Sequence, residues 1–293
     1  MSSQYDAIII GTGIIGGAIG LELARRGSRT LNVDKLPAAG YGSTSNTCAI
    51  IRFHYSTAEG VAMARESYYY WLDWPKHIGA ADEKGMAHYV NTGCVVIKEE
   101  ESNYYQHVMS LLDDLKIVYR ELDPKEFGEI LPFVDTRRFG PPVLAGDHRF
   151  CEPTGDSIAG AIYIPESGYI NDPQLACHNQ QRGCEECGGE FQFNAEVVEI
   201  LTRDGRVAGV KLADGSERFA PVVVNASGPH SFKINRMAGV EDGMRIRTRA
   251  LKREVCHVPS PAGVNFSLRG TMFSDGDTGS YARPEVGNNI LIG

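Results

Sequence analysis

Three glycines near the start of the chain, Gly11, Gly13 and Gly16, constrain its fold more than any other sequence feature. They follow the apolar run YDAIII of residues 5–10 and begin a segment with helical character that extends to Arg26. In a strand–turn–helix unit of this kind, the first glycine permits the tight turn and the second lets the backbone approach a ligand. The third lets the helix pack closely on the strand. The pattern therefore predicts the opening of a βαβ unit.

The acidic residue Asp34 ends the next strand-like run, TLNVD at residues 30–34. The start of the preceding helix favours phosphate groups because its N–H groups are free and its dipole attracts anions. An acid after the second strand accepts a hydrogen bond from a ribose hydroxyl. Together these features predict an adenine-dinucleotide site, and a glycine-rich turn in an unrelated α/β protein is the alternative.

The continuation of the chain distinguishes between the two common dinucleotides. An NAD-dependent dehydrogenase usually continues with further βα units, whereas here a polar loop rich in Gly, Ser, Thr and Asn follows at residues 37–47. Asp204-Gly205 and Asp214-Gly215 lie between alternating hydrophobic residues and predict two hairpins, followed by a late strand at 221–225. This order favours FAD.

Composition excludes several classes of protein. With 293 residues, a net charge of −8 and no basic stretch, the chain is not expected to bind nucleic acid or an anionic membrane. The longest apolar run, residues 7–20, contains five glycines and is too short to span a bilayer. We expect a cytoplasmic protein without a membrane span.

Seven cysteines at irregular spacing indicate a reduced intracellular protein. Cys184 and Cys187 form the one close pair, and with His178 nearby a zinc site is the alternative to structural thiols. No second pair with ligand spacing follows, and Cys177 and Cys184 lie on one face of a predicted helix. We therefore predict buried thiols and no metal.

Five segments carry a family resemblance, which covers the whole chain. They are GTGIIGGAIGLELARRG, GYGSTSN, AIIRFHY, DGRVAGVKLADG and VVVNASGPHS, in that order. The sequence resembles the D-amino-acid-oxidase-like FAD oxidoreductases, most closely the sarcosine oxidase and dimethylglycine dehydrogenase branch. The resemblance implies a mixed α/β and α+β fold, with a discontinuous Rossmann-like FAD-binding domain and a mixed-sheet substrate domain. The expected FAD-binding parts are residues 1–87 and 151–232, and the expected substrate parts are 88–150 and 233–293.

The resemblance also implies a reaction. The expected activity is oxidation of the C–N bond of an amino acid or N-methylated amino acid by hydride transfer to non-covalent FAD. The electron acceptor is either oxygen or a protein. Oxidation of a hydroxy acid or of a glycerol-3-phosphate-like compound is one alternative, and a non-catalytic dinucleotide-binding fragment is another.

Carried over position by position, the resemblance assigns residues to the cofactor. The glycine turn would cradle the pyrophosphate, the acid and its neighbour would lie at the ribose, and the Ser-Thr loop would contact phosphates and flavin. A strand residue would meet the adenine through its backbone, and a late turn would pass close to the cofactor. In these roles the residues are Gly11, Gly13, Ile14, Ile15, Gly16, Asp34, Lys35, Ser43, Thr44, Ser45, Val197 or Val198, Ala226, Ser227 and Gly228.

The substrate residues implied by the resemblance centre on Arg52, which aligns with the arginine that binds the substrate carboxylate. A guanidinium suits that role because it binds a carboxylate through two parallel hydrogen bonds; an inter-domain salt bridge is the alternative. His54 and Tyr55 would line the same pocket, although a lone histidine is more often structural. Arg283, beside Tyr281, is a second candidate for the carboxylate.

The sequence departs from the family pattern at several places. Ala49 stands where relatives have a second arginine, and Leu291 aligns with the lysine that promotes the reaction with oxygen, so a dehydrogenase stays possible. No histidine for covalent attachment of FAD occurs at residues 43–46. Relatives continue for roughly a hundred further residues, so the chain is expected to lack the C-terminal part.

Overall fold

The computed structural model describes residues 4–100, 102–155 and 157–293. The α-helices are α1 (Ile14–Arg25), α2 (Ala58–Leu72), α3 (Trp74–Ile78), α4 (Asn103–Asp114), α5 (Pro124–Ile130), α6 (Pro173–Glu186), α7 (Ser231–Met237) and α8 (Phe266–Arg269). The strands are β1 (Ala7–Ile10), β2 (Thr30–Val33), β3 (Ile50–Ile51), β4 (Tyr89–Asn91), β5 (Cys94–Lys98), β6 (Arg120–Leu122), β7 (Gly160–Ile164), β8 (Gly168–Ile170), β9 (Glu190–Gln192), β10 (Val197–Arg203), β11 (Arg206–Leu212), β12 (Glu217–Phe219), β13 (Val222–Asn225), β14 (Cys256–Pro259), β15 (Met272–Asp275), β16 (Ser280–Glu285) and β17 (Asn289–Ile292).

The chain forms two compact units, and each is built from three separated segments. Unit 1 comprises Met1–Thr47, Asp73–His88 and Asp172–Lys252. Unit 2 comprises Cys48–Leu72, Tyr89–Asn171 and Arg253–Gly293.

The bounds of these units differ from the expected domain bounds in three segments, and strand pairing and packing explain each difference. Residues 48–72 belong to unit 2 because β3 pairs with β8, which also pairs with β4. Residues 151–171 join the same unit because β7 pairs with β5 and β6. Residues 233–252 belong to unit 1, where Ile234 of α7 packs in the same core cluster as Ile8.

Unit 1 contains the predicted βαβ unit. Its main sheet has the order β13-β1-β2-β9, and all of its neighbouring strands are parallel. All four residues of β1 and of β2 are buried, as is typical of a parallel sheet covered on both faces. The helix α1 follows β1 directly, so the carboxyl end of the strand and the amino end of the helix meet at the glycine turn. This confirms the fold class expected from the sequence.

A smaller antiparallel sheet in unit 1, β10-β11-β12, confirms the two hairpins. Asp204 has φ 52° and Gly205 has φ 71°. Two consecutive residues with positive φ are the requirement of a type I′ turn, which matches the twist of the flanking strands.

Unit 2 has a seven-stranded mixed sheet with the order β14-β17-β16-β15-β5-β7-β6. The β15–β5 pair is parallel, and the other neighbours are antiparallel. A second sheet, β3-β8-β4, has three strands. Residues 88–98, whose apolar pattern predicts a single strand, form two strands in different sheets, because Gly93 has φ 66° and interrupts the extended backbone.

Local capping signals explain where several helices begin. Asp123 forms a complete capping box with Glu126 at the start of α5, and Asp172 caps α6 by accepting a hydrogen bond from the N–H of Leu175. At α2 the sequence Ser56-x-x-Glu59 predicts a capping box that starts at Ser56, but Thr57 accepts the hydrogen bond from the N–H of Gly60 at 3.2 Å. Among the described residues, no helix combines the length and apolar character needed to cross a membrane.

Candidate cofactor and substrate-binding residues

The glycine turn between β1 and α1 leaves no room for side chains at two positions. Gly11 has φ +101°, and a Cβ built on it would lie 2.4 Å from the carbonyl oxygen of Ala226. A Cβ built on Gly16 would lie 1.8 Å from the carbonyl oxygen of Gly11. The first glycine thus lets β13 end beside the turn, and the third lets α1 begin directly above it.

The amino end of α1 is held by a residue of the Ser-Thr loop. Gly13 is the N-cap and makes no side-chain capping bond. The hydroxyl of Thr44 instead accepts a hydrogen bond from the N–H of Ile14 at 3.2 Å. Ile15 is 66% exposed, so this end of the helix is accessible to solvent. An accessible helix start with backbone N–H groups is a site that favours phosphate.

The loop that carries Thr44 is anchored to the same turn. The N–H of Gly40 donates to the carbonyl oxygen of Thr12 at 3.0 Å, and the N–H of Ser45 donates to the carbonyl oxygen of Gly40 at 2.9 Å. Ser43 is exposed and Thr44 is half-buried. The structure therefore brings the Ser-Thr loop to the start of α1, as the assignment of both to one cofactor requires.

Asp34 directly follows β2 and bonds to the glycine turn. One of its carboxylate oxygens accepts hydrogen bonds from the N–H and the hydroxyl of Thr12, at 2.8 and 3.0 Å. The other accepts from the N–H of Leu36 at 3.0 Å. Asp34 is half-buried and Lys35 is exposed. Since a carboxylate has about four acceptor sites, these bonds orient the group and leave acceptor capacity for a ribose hydroxyl.

The late turn after β13 also lies at the glycine turn. The N–H of Ala226 donates to the carbonyl oxygen of Ile10 at 2.9 Å. The hydroxyl of Ser227 donates to the side-chain oxygen of Asn225 at 2.6 Å, and Gly228 adopts φ 58°. The sequence-predicted residues 226–228 therefore lie beside Gly11, in a conformation set by Asn225.

The remaining cofactor candidates are in β10, in the smaller sheet of unit 1. The side chain of Val197 is buried in the core, whereas Val198 is 45% exposed. Of the residues that orient the turn, Thr12 and Asn225 are absent from the sequence-based set. Thr12 could have been identified from the sequence, because it lies inside the glycine motif. Asn225 is recognised only from its hydrogen bonds to Ser227 and Asn235 in the structure.

The residues of unit 1 fit an adenine dinucleotide. The backbone lies too close for a Cβ at Gly11 and Gly16. The accessible start of α1 and the oriented carboxylate of Asp34 lie at the same turn. These are the contacts that a pyrophosphate and a ribose require.

In unit 2, Arg52 is held between two neighbours in the sequence. Its Nη1 lies 2.9 Å from Nε2 of His54, and its guanidinium carbon lies 4.9 Å from the centre of the Tyr55 ring. Burial, and secondarily the charge of Arg52, lowers the pKa of His54 to about 3. The imidazole is therefore neutral near pH 7. Arg52 itself is half-buried, as a residue that meets a ligand from solvent should be.

Arg283 does not have the surroundings expected of a carboxylate-binding residue. It is 2% exposed, and its Nε donates to the carbonyl oxygen of Cys48 at 2.6 Å. Its Nη1 donates to the carbonyl oxygen of Pro284 at 2.7 Å, and its Nη2 pairs with Glu285 at 2.9 Å. These contacts favour a structural role for Arg283 over the expected role as a second carboxylate ligand, because the partners of the buried guanidinium neutralise and satisfy it.

Another polar cluster in unit 1 contains metal-ligating residue types. Asp82, Glu83 and His178 have ligand atoms within 4.8 Å of one another. Nδ1 of His178 lies 2.7 Å from Asp82, and Arg182 pairs with Glu83 at 2.6 Å. The arginine already neutralises the exposed carboxylate, so the cluster is an ion-pair network that joins residues 82–83 to α6.

The comparisons with known proteins agree with this geometry. The profile of the family described as DAO, FAD dependent oxidoreductase, matches residues 6–293. Glycine oxidase of Geobacillus kaustophilus is 26% identical over all of this chain and 70% of its own length. Monomeric sarcosine oxidase of a Bacillus species is 37% identical over 72% of this chain and 51% of its own length. The crystal structure of L-proline dehydrogenase from P. horikoshii matches all of this chain and 70% of that one, with a TM-score of 0.76 and 20% identity. The chain thus spans between half and about 70% of the length of these relatives.

Proposed function

The chain belongs to the DAO family of FAD-dependent oxidoreductases, and from that premise we propose that it oxidises the C–N bond of an amino acid or N-methylated amino acid. The observation that carries the substrate class is the Arg52 cluster. It presents a half-buried guanidinium fixed by His54 and Tyr55. The names of the relatives, glycine oxidase, sarcosine oxidase and L-proline dehydrogenase, support a small amine that carries a carboxylate.

The cofactor residues proposed for FAD are those of the glycine turn and its surroundings. Gly11, Gly13 and the N–H groups at the start of α1 would hold the pyrophosphate. Asp34 would accept from the ribose, and Thr44 would position the helix start. The remaining candidates are Ile14, Ile15, Gly16, Lys35, Ser43, Ser45, Val197, Val198, Ala226, Ser227 and Gly228. We propose that FAD binds without a covalent link.

The contribution of Arg52 is binding and orientation of the substrate. A guanidinium and a carboxylate form two parallel charge-assisted hydrogen bonds, which fix the direction of the Cα–H bond. FAD supplies the redox chemistry by accepting a hydride. The substrate also loses its N–H proton, and water hydrolyses the resulting imine. The acceptor that would take the electrons from the cofactor is oxygen or a protein.

Oxidation of a hydroxy acid is a second candidate, because Arg52 would bind its carboxylate equally well. The two substrate classes are distinguished by anaerobic mixing of the FAD-loaded chain with glycine, N-methylglycine, L-proline and D-lactate. We expect the visible absorbance of the oxidised flavin to bleach with at least one amine and not with D-lactate. Bleaching by lactate alone would overturn the amine proposal, and a chain that binds no FAD would overturn the enzyme proposal.

A further inference from the structure

The contact between Arg52 and His54 shows which nitrogen accepts the hydrogen bond. Nη1 of Arg52 can only donate, so Nε2 of His54, at 2.9 Å, has to be the acceptor. A neutral imidazole with an unprotonated Nε2 carries its proton on Nδ1. Burial keeps the ring neutral, because it lowers the pKa of His54 to about 3. The lone pair of Nε2 is therefore available to Arg52 throughout the physiological pH range.

The other ring nitrogen indicates that His54 is not there for stability. His54 is 5% exposed, and its Nδ1 is buried without a hydrogen-bond partner among the described residues. A buried donor without an acceptor destabilises a fold, whereas an apolar side chain of similar volume does not. A histidine at position 54 therefore destabilises the fold. The hydrogen bond that its Nε2 accepts from Arg52 is the interaction that offsets this loss of stability.

The position of the guanidinium follows from both neighbours. Tyr55 lies against its face at 4.9 Å, and His54 holds one of its terminal nitrogens. An arginine has five N–H donors in a planar fork, so a bond to Nη1 fixes rotation of the plane and leaves donors for a ligand. A long side chain fixed before binding loses less conformational entropy on binding.

From these contacts we infer that His54 is a positioning residue that holds Arg52 in the orientation required to bind a substrate carboxylate. The inference rests on the proposed function, since it presumes that Arg52 binds the carboxylate. It adds that the hydrogen bond accepted by Nε2 of His54 sets the affinity for a substrate carboxylate, although His54 itself does not touch the reacting atoms.

The test compares three variants of the FAD-loaded chain. His54→Leu removes the acceptor at similar volume, His54→Gln places an amide oxygen near the position of Nε2, and Arg52→Gln removes the charge. The ligands are pyrrole-2-carboxylate, whose aromatic ring does not form an imine, and pyrrole-2-carboxamide, which lacks the charge. Binding is followed by the change in flavin absorbance and by calorimetry.

We expect His54→Leu to weaken carboxylate binding and to raise KM for the amine substrate, each about tenfold (~1.4 kcal/mol), and to leave carboxamide binding unchanged. His54→Gln should restore most of the affinity. The melting temperature of His54→Leu should equal or exceed that of the parent, because the buried unpaired Nδ1 is gone. A lowered melting temperature without a selective loss of carboxylate affinity would show a merely structural histidine and overturn the inference.

Two further outcomes separate this inference from the proposed function. If Arg52→Gln weakens carboxylate binding and His54→Leu does not, the inference fails and the proposed function stands. If Arg52→Gln changes nothing, the proposed function fails as well. Nitrogen-15 NMR of the unaltered protein gives a check without substitution: a His54 ring protonated at Nε2 near pH 7 would contradict the inference.

Discussion

Gly16→Ala is the substitution that tests the cofactor turn most directly. The added Cβ would lie 1.8 Å from the carbonyl oxygen of Gly11 and 2.9 Å from its carbonyl carbon. Favourable contacts require about 3.5 Å, so the start of α1 has to move by roughly 1.7 Å relative to the turn. Both atoms belong to the backbone, so no side-chain rotation can relieve the clash. Overpacking of this kind costs about 1–3 kcal/mol, only partly offset by the ~0.5–1 kcal/mol that alanine contributes in a helix.

Gly128→Ala is the matched control. Gly128 lies in the interior of α5, and a Cβ built there meets nothing within 4 Å. The control should therefore raise the free energy of unfolding by ~0.5–1 kcal/mol. Gly16→Ala should lower it by about 1 kcal/mol, which is the overpacking cost less the helix contribution of alanine.

The same displacement should impair FAD binding. Moving the start of α1 withdraws its N–H groups from the pyrophosphate, and hydrogen bonds to charged groups contribute about 1.5–3 kcal/mol each. We expect the dissociation constant of FAD, measured by quenching of flavin fluorescence, to rise at least ~10-fold in Gly16→Ala. Urea titration gives the stabilities. Equal effects of the two substitutions on unfolding, or unaltered FAD binding in Gly16→Ala, would refute this account of the turn.

Three other predictions follow from buried groups. Arg283→Met should lower the free energy of unfolding by about 3–5 kcal/mol, because Glu285 and two carbonyl oxygens lose their hydrogen-bond partner. If the variant instead has a normal melting temperature and a raised KM, Arg283 is a substrate ligand. The pKa of His54 is lowered to about 3 by burial and then by Arg52, so the unfolded chain takes up a proton below about pH 6.5 that the folded chain does not. Stability should therefore fall as the pH drops from about 6.5, by up to ~1.4 kcal/mol per pH unit, and urea titrations of His54→Leu should show a shallower slope. A native thiol titration should react only with the exposed cysteines and the remainder should react after unfolding; the exposed ones are Cys151, Cys187 and Cys256, and the buried ones are Cys48, Cys94, Cys177 and Cys184.

Local patterns were sufficient for much of unit 1. The glycine spacing and the Asp-Gly turns each depend on a few consecutive residues, and each is confirmed by the structure. The Asp-Pro pairs at 123–124 and 172–173 predict helix starts in the same local way, and α5 and α6 begin there. The four buried cysteines include Cys177 and Cys184 on one face of α6, as their spacing predicted, whereas Cys187 is exposed and the prediction of a buried thiol was wrong there. Pairings distant in sequence were not accessible in this way. The placement of 151–171 in unit 2 depends on β7 meeting β5 and β6, and nothing local to β7 identifies those partners.

The candidate substrate residues also differ in a way that the sequence does not predict and the folded chain shows. Arg52 and Arg283 are chemically equivalent in the sequence, and both stand among apolar neighbours. Only the folded chain shows that Arg283 is buried against the Cys48 carbonyl and Glu285, whereas Arg52 is half-buried beside His54.

By itself, therefore, the sequence determined that the chain has a dinucleotide-binding turn, because such a turn is built from neighbouring residues whose backbone needs are local. The tertiary structure decided which charged side chains are buried with partners that satisfy them and which stay partly exposed. That distinction depends on burial and on hydrogen-bond partners far apart in the chain, which the order of residues alone does not specify.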